Sequence, residues 1–279
     1  MSLGSSPASL KAAHDALRAG AIKVAGATDL LVIDHATGRE HASVLNVLSI
    51  AELQGIRVDG SSLDIGAAVT FTQIRQWPEV RKHAPALVEA AATIGAAQIQ
   101  NRATIGGNIA NASPAGDSLP ALLALGAKLL LSGPAGSRTV DYADFHTGYR
   151  KTVLAADEII ERVIIPLPAP RIQIFRKVGT RAAQAISKVV MALGANRKGD
   201  VLTDVRLAMG SIAATPVRLN EVEKLLGSEA LSPALADRAA DLVASTITPI
   251  DDVRSTADYR RHVAGTIVRR AVLSLVPAS

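Results

Sequence analysis

The first half of the chain alternates short apolar runs with tight polar turns, and the second half carries longer runs and longer helices. Ser9 to Ala19 starts with a capping serine, spaces Leu10, Ala13 and Leu17 at helical intervals and stops at Gly20, which predicts a helix. Ala21–Ala25 predicts a short strand, Gly26-Ala27-Thr28-Asp29 a tight loop, and Leu30-Leu31-Val32-Ile33 a further apolar run. More β-prone runs follow at Ser43–Leu48, Ile56–Val58 and Leu63–Val69, separated by Gly, Asp and Ser turn residues. Phe71–Trp77 and Pro85–Thr93 have helical spacing. Leu119–Leu125 predicts a helix leading through Gly126 into a strand at Ala127–Leu131, and Ile159–Ile165 is the last strand of this half.

Pro166-Leu167-Pro168-Ala169-Pro170 can continue neither a helix nor a sheet, so the expected division is 1–168 and 169–279. Beyond it, Ile172–Val178, Ile186–Asn196 and Val201–Ser211 predict three strands. Helices are predicted at Val217–Leu226, Pro233–Ser245 and Ser255–Leu275. Strands grouped first and helices afterwards imply an α+β fold and not a doubly wound α/β one.

Composition narrows the picture. Of the 279 residues 48% are hydrophobic but only 3% aromatic, so Ala, Leu, Val and Ile must build the core. No apolar run reaches the ~18 residues of a membrane span. Met1–Ser9 has neither the basic nor the apolar region of a secretory signal, Met1-Ser2-Leu3 has the look of an expression leader, and a cytoplasmic location is expected. The chain has no cysteine, which excludes disulfides, thiolate catalysis and cysteine-ligated iron–sulfur or zinc within it. The histidines show no metal-binding spacing, and no metal site is expected. A net charge of +5, scattered and barely interleaved with aromatics, fits an anionic cofactor or acidic partner better than nucleic acid.

The most informative segment is 103–117, A-T-I-G-G-N-I-A-N-A-S-P-A-G-D. Adjacent glycines allow positive φ and close approach to the main chain, while Thr104, Asn108, Asn111, Ser113 and Asp117 offer hydrogen bonds without a strong nucleophile. A helix expected to start at Asp117 would add an electropositive N-terminus, with Asp117 also suited to cap it. Upstream, Ala25–Leu30 (A-G-A-T-D-L) can form a nest of backbone N–H groups for a diphosphate, or simply a strand-to-helix turn capped by Thr28 or Asp29. Neither G-x-G-x-x-G nor G-x-x-x-x-G-K-[ST] occurs, so nicotinamide-dinucleotide and P-loop readings lack support.

Four motifs then occur in order: A-G-A-T-D-L near residue 28, T-I-G-G-N-I near 106, S-P-x-x-D at 113–117 and F-R-K-V-G at 175–179. With G-x-R-x-T-x-L at Gly148–Leu154 and E-I-I-x-x-V-x-I-P at Glu158–Pro166, the chain resembles the FAD-binding (medium) subunits of the molybdenum hydroxylases, the xanthine dehydrogenase and carbon monoxide dehydrogenase type. The resemblance implies a vanillyl-alcohol-oxidase-type FAD-binding domain of two α+β subdomains. It also implies a C-terminal domain of a three-stranded antiparallel sheet with helices. Gly26, Ala27, Thr28, Asp29 and Leu30 would form the first diphosphate loop, and Thr104, Gly106, Gly107 and Asn108 the second. Asp117 would bind ribityl or ribose hydroxyls. Ile94 and Ile99 would line the adenine side, Ile160 would lie against the isoalloxazine, and Lys177 would place a cation near the flavin. Where the family most often has a second glycine this chain has Ala27, which implies ordinary φ there or a repositioned loop.

The expected function is an electron-transfer oxidoreductase subunit with noncovalent FAD and no catalytic residue of its own. Electrons would arrive from partner iron–sulfur clusters and leave to NAD, oxygen or a quinone. The implied partners are a molybdopterin-binding large subunit and a two-cluster iron–sulfur small subunit. Two alternatives stay open: a self-contained FAD oxidoreductase of the enolpyruvyl-UDP-N-acetylglucosamine reductase type, and a cofactor-free binding or assembly module.

Overall fold

A computed structural model describes residues 4–277; the expected leader at Met1–Leu3 lies outside them. The chain folds as β1 (Gly4–Ser5), α1 (Leu10–Arg18), β2 (Ile22–Val24), α2 (Leu30–Thr37) and β3 (Val44–Asn46), which build a small parallel sheet of order β1-β3-β2. Ser9 caps α1 by accepting from the Ala12 N–H at 3.4 Å, and α1 buries Ala13, His14 and Leu17. Ala13 and Leu17 pack with Leu45, Ile50 and Leu53 in a separate small core.

The next stretch runs β4 (Ile56–Val58), β5 (Ser62–Gly66), α3 (Phe71–Gln76), α4 (Pro78–His83), α5 (Pro85–Thr93), α6 (Ala97–Gln100), α7 (Ile105–Asn111) and α8 (Ser118–Ala124). It continues through β6 (Lys128–Gly133), β7 (Gly136–Asp141), the two-stranded hairpin β8 (His146–Gly148) and β9 (Lys151–Thr152), and β10 (Ile159–Pro166). Its antiparallel sheet has the order β4-β5-β10-β6-β7, so β10 returns to the centre. Lys23 joins the two subdomains: its ammonium, on β2, donates to the carbonyls of Ala155, Ala156 and Glu158 at 3.3, 2.9 and 2.8 Å, just before β10.

Past the prolines come β11 (Ile172–Val178), β12 (Val189–Lys198), β13 (Val201–Gly210), β14 (Val217–Arg218), α9 (Asn220–Ser228), α10 (Pro233–Thr246) and α11 (Ala257–Leu273). The expected three antiparallel strands are present, with the two-residue β14 as a fourth on the edge. This sheet is covered on both faces. Val189, Met191, Leu193, Ala195, Leu207 and Met209 pack on the C-terminal helices, whereas Phe175, Val190, Ala192 and Ala208 pack into the core of the first half. Burial on both faces explains why 189–195 is an unbroken apolar run and not an alternating one. Among the described residues, no helix is long and apolar enough to cross a membrane.

Three sequence expectations are corrected. Leu30–Ile33, grouped with the β-prone runs, is the first turn of α2, and Leu31 and Val32 are exposed. The local apolar run carries no helical periodicity, and the helix is set by the geometry of the preceding loop. The helix expected over Val217–Leu226 begins only at Asn220, because Val217 and Arg218 pair with Met209 and Ala208 on the sheet edge. The strand expected from Ile186 starts at Val189, where pairing with Val178 begins.

Candidate functional site

Two segments from different subdomains meet at Gly26. A Cβ there would lie 2.0 Å from the Arg102 carbonyl oxygen and 2.6 Å from its carbon, so only glycine lets the loop after β2 touch the segment leading into α7. Of the two alternatives for Ala27, ordinary φ is excluded: its φ is +60°, the left-handed conformation, retained despite a Cβ. The Ala27 carbonyl accepts from the Leu31 N–H at 3.1 Å and opens α2, while neither Thr28 nor Asp29 caps the helix with its side chain. Among the described residues, no protein acceptor receives the N–H groups of Gly26, Ala27, Thr28, Asp29 or Leu30. Five consecutive unengaged donors, ending at a helix N-terminus, form a nest suited to an anion.

The T-I-G-G-N-I segment is a helix and not an open loop. Thr104 caps α7 by accepting from the Gly107 N–H at 3.1 Å, and the Ile105 and Gly106 N–H groups donate to Val69 and Ala67 carbonyls at 3.0 and 2.9 Å. Neither glycine has positive φ, which corrects that part of the sequence argument. They serve different purposes. A Cβ on Gly106 would lie 2.6 Å from the Ala67 Cβ, so this glycine seats α7 on the chain itself. A Cβ on the exposed Gly107 would meet only the Thr104 hydroxyl, at 3.0 Å, and otherwise open space. Of the two glycines, Gly107 is therefore the one with open space in front of it.

From α7 the polar path continues inward. Asn108 accepts from Ser118 Oγ at 2.7 Å, tying α7 to α8. Asp117 stands at the N-cap position of α8 but makes no capping bond, contrary to expectation. Its carboxylate turns toward the C-terminal sheet, where Lys177 Nζ lies 2.6 Å from Oδ2 and Ser187 Oγ donates to Oδ1. Lys177 also donates to the Thr93 carbonyl at 3.0 Å. Thr93 Oγ1 sits 3.2 Å from Asp117 Oδ2 and 2.8 Å from the Ala90 carbonyl, so its single proton serves one acceptor at a time. Burial pushes the Asp117 carboxyl above the ordinary aspartate value, opposed by Lys177, Ser187 and Thr93.

Ile94 and Ile99 flank the turn after α5, where Gly95, at φ +52°, lies under the Ile99 side chain. The loop between β11 and β12 reaches this turn through the Gln184 N–H, which donates to the Gly95 carbonyl at 3.1 Å. Thus Gly26–Leu30, Thr104–Asn108, Asp117, Lys177, Ile94 and Ile99 form one connected path. Ile160 does not join it: only 4% exposed, it packs in the core on β10.

Sequence reasoning missed three neighbours of these residues. Arg150, with φ +52°, donates to Asn111 Oδ1 at 2.8 Å and lies 3.7 Å from Asp29, so the β8–β9 hairpin bridges both segments. Arg150 is exposed, and G-x-R-x-T was its only signal in the sequence. Ser187 and Thr93 lay in runs read only as strand and helix. The two described cavities lie elsewhere. The larger, of about 730 Å³, is lined by Asp204 on β13 and by Asn220, Glu221 and Lys224 on α9, and contains none of the residues expected to hold a cofactor. No cluster that could hold a metal ion occurs among the described residues.

Residues 4–168 match the family described as the FAD binding domain in molybdopterin dehydrogenase. Residues 174–275 match the CO dehydrogenase flavoprotein C-terminal domain. The chain is 32% identical over 260 residues to the xanthine dehydrogenase FAD-binding subunit of Escherichia coli O157:H7, covering 92% of this chain and 89% of that one. It is 30% identical over 254 residues to the carbon monoxide dehydrogenase medium chain of Hydrogenophaga pseudoflava, covering 89% and 87%. A solved structure of carbon monoxide dehydrogenase from that organism superposes with a TM-score of 0.93 at 28% identity, covering 99% of this chain and 98% of that one.

Proposed function

Because the chain belongs to the FAD-binding subunits of the molybdenum hydroxylases, we propose that its connected polar path holds FAD, with the diphosphate against Gly26–Leu30 and Gly107. The observation that carries this placement is the run of five unengaged N–H groups beside a helix face whose glycine leaves room for a ligand. When bound, FAD supplies the redox chemistry, accepting electrons and passing them on. The protein's residues bind and orient it. Gly26–Leu30 donate to the phosphates, Thr104 keeps α7 in place beside them, and Arg150 holds the hairpin over Asp29 and Asn111. Asp117 and Lys177 stand at the junction of the two sheets, where they meet the ribityl and flavin end. Ile94 and Ile99 supply an apolar wall for the adenine side.

The protein is an oxidoreductase subunit that works within a multi-subunit complex. In the finer reading its partners are a molybdopterin-binding large subunit and a two-cluster iron–sulfur small subunit. The absence of cysteine supports this division of labour, since the chain cannot ligate a cluster of its own through thiolates. Residues 1–168 form the FAD-binding unit and 169–279 the flavoprotein C-terminal unit, a division supported by the proline-rich stretch between β10 and β11.

Titration of the isolated chain with FAD and FMN tests the reading. FAD binds at least tenfold more tightly, because the diphosphate nest has only a monophosphate to meet in FMN. Equal affinities would refute the placement. Substrate-driven flavin reduction requires the partner subunits, and rapid bleaching of the isolated chain by purines or aldehydes would refute the electron-transfer role.

A further inference from the structure

We propose that Asp117 and Lys177 act on the flavin as one charge-neutral pair held across the junction of the two sheets, with Ser187 as its positioning residue. The inference rests on the FAD reading, but the pair itself is a property of the chain. Asp117 comes from the segment entering α8, Lys177 from β11, Ser187 from the segment entering β12, and Thr93 from the end of α5. The Asp117 and Lys177 side chains are only 7% and 10% exposed, and Ser187 is buried. At 2.6 Å the ammonium and carboxylate largely cancel one another's distant field, so a flavin nearby experiences a short dipole and not a free cation.

Ser187 fixes which way that dipole points. With its hydroxyl on Oδ1, the other oxygen is turned to Lys177, which the Thr93 carbonyl holds from the far side at 3.0 Å. One ammonium proton of Lys177 and one lone pair of Asp117 Oδ1 remain without a protein partner after these bonds. A neighbouring donor and acceptor of this kind match a hydroxyl, which does both. Breaking such a buried pair from one side leaves an uncompensated charge, whereas neutralising both sides removes the charges together.

The test compares the full chain with Lys177→Met, Asp117→Asn, the double variant, Ser187→Ala and Ser187→Thr. Readouts are the midpoint potential of bound FAD, the FAD dissociation constant and thermal melting of the ligand-free chain. Lys177→Met lowers the potential, Asp117→Asn raises it, and the double variant returns close to the parent. Ser187→Ala lowers the potential in the direction of Lys177→Met and raises the FAD dissociation constant by about three- to tenfold, as loss of one preorganised side chain requires. Ser187→Thr restores both. A double variant that matches Lys177→Met alone would overturn the pair, and a Ser187→Ala variant that changes melting only would reduce that residue to a structural role.

If a single variant sheds FAD, the ligand-free melting cycle decides. The double variant is then less destabilised than the sum of the singles, and strict additivity would refute coupling. Failure of the parent chain to bind FAD would sink the cofactor reading and leave this cycle as the independent test of the pair.

Discussion

Adding one methyl group at Gly107 should remove FAD affinity without cost to the fold, and the same methyl at Gly106 should do the reverse. At Gly107 the new Cβ meets only the Thr104 hydroxyl, at 3.0 Å, which requires a shift of a few tenths of an ångström. Against that, alanine gains over glycine in a helix, by up to about 1 kcal/mol in an interior and less in the first turn where Gly107 lies, so the ligand-free chain keeps its melting temperature. In the proposed placement, the methyl then projects toward the diphosphate. Losing a single charge-assisted hydrogen bond there costs about 1.5–3 kcal/mol, a fall in FAD affinity of roughly 10- to 100-fold.

At Gly106 the Cβ would lie 2.6 Å from the Ala67 Cβ and 2.7 Å from its carbonyl oxygen. Carbon–carbon contacts sit near 3.5–4.0 Å, so α7 must move by about 1 Å. Its own bond from the Gly106 N–H to Ala67, at 2.9 Å, and the Ala67 N–H bond to Glu161, at 3.0 Å, resist that movement. Overpacking of this kind costs about 1–3 kcal/mol, a drop of roughly 2–10 °C for a chain of this size. Scanning calorimetry of the ligand-free variants and FAD titration read the two effects separately. A Gly107→Ala chain with parental FAD affinity would show that this face of α7 does not meet the cofactor, and a Gly106→Ala chain of unchanged stability would refute the packing argument.

Two further outcomes follow from contacts outside the cofactor path. Burial pushes the His146 imidazole down from 6.5 to about 4, with Nε2 at 3.0 Å from the Tyr142 hydroxyl and Nδ1 without a partner. The unfolded chain takes up a proton near pH 6.5 that the folded chain does not accept until about pH 4, so stability present above 6.5 is lost across that window. The loss is about 2 kcal/mol once partial exposure is allowed for, and a His146→Gln chain whose melting falls as steeply with acid as the parent's would refute it. Lys23→Met deprives three carbonyls of one shared donor and should lower the melting temperature by about 3–10 °C. An unchanged melting curve would show that this ammonium does not latch the subdomains.

The glycine-bearing segments, the cofactor class and most elements were legible in the chain because they depend on local order. Ser9, Gly20 and the Leu10–Leu17 spacing bound α1 within a residue at each end. Pro85–Thr93 and Ile172–Val178 are observed with the predicted bounds. Leu30–Ile33 was not legible, since four consecutive apolar residues have no period and Ala27's left-handed turn decides the direction of the chain after β2. Nor was the geometry of Gly106 and Gly107: adjacent glycines are compatible with a loop of positive φ or a helix packed tightly against a strand. Only the contact with Ala67 distinguishes them.

By itself, then, the sequence determined the membership of the family, the α+β order of elements, the absence of thiolate chemistry and the two glycine-bearing segments that the structure brings together at Gly26. Each of these is a matter of residue type and near-neighbour spacing. The tertiary structure alone decided that Lys177 is neutralised by Asp117, that Ser187 and Thr93 hold the pair, and that Arg150 joins Asp29 to Asn111. Asp117 and Lys177 are separated by 60 positions and Asp117 and Ser187 by 70. No local pattern encodes such a meeting; it arises because the C-terminal sheet buries one apolar face against α5 and α8, and that packing brings the polar ends of β11 and β12 to the start of α8.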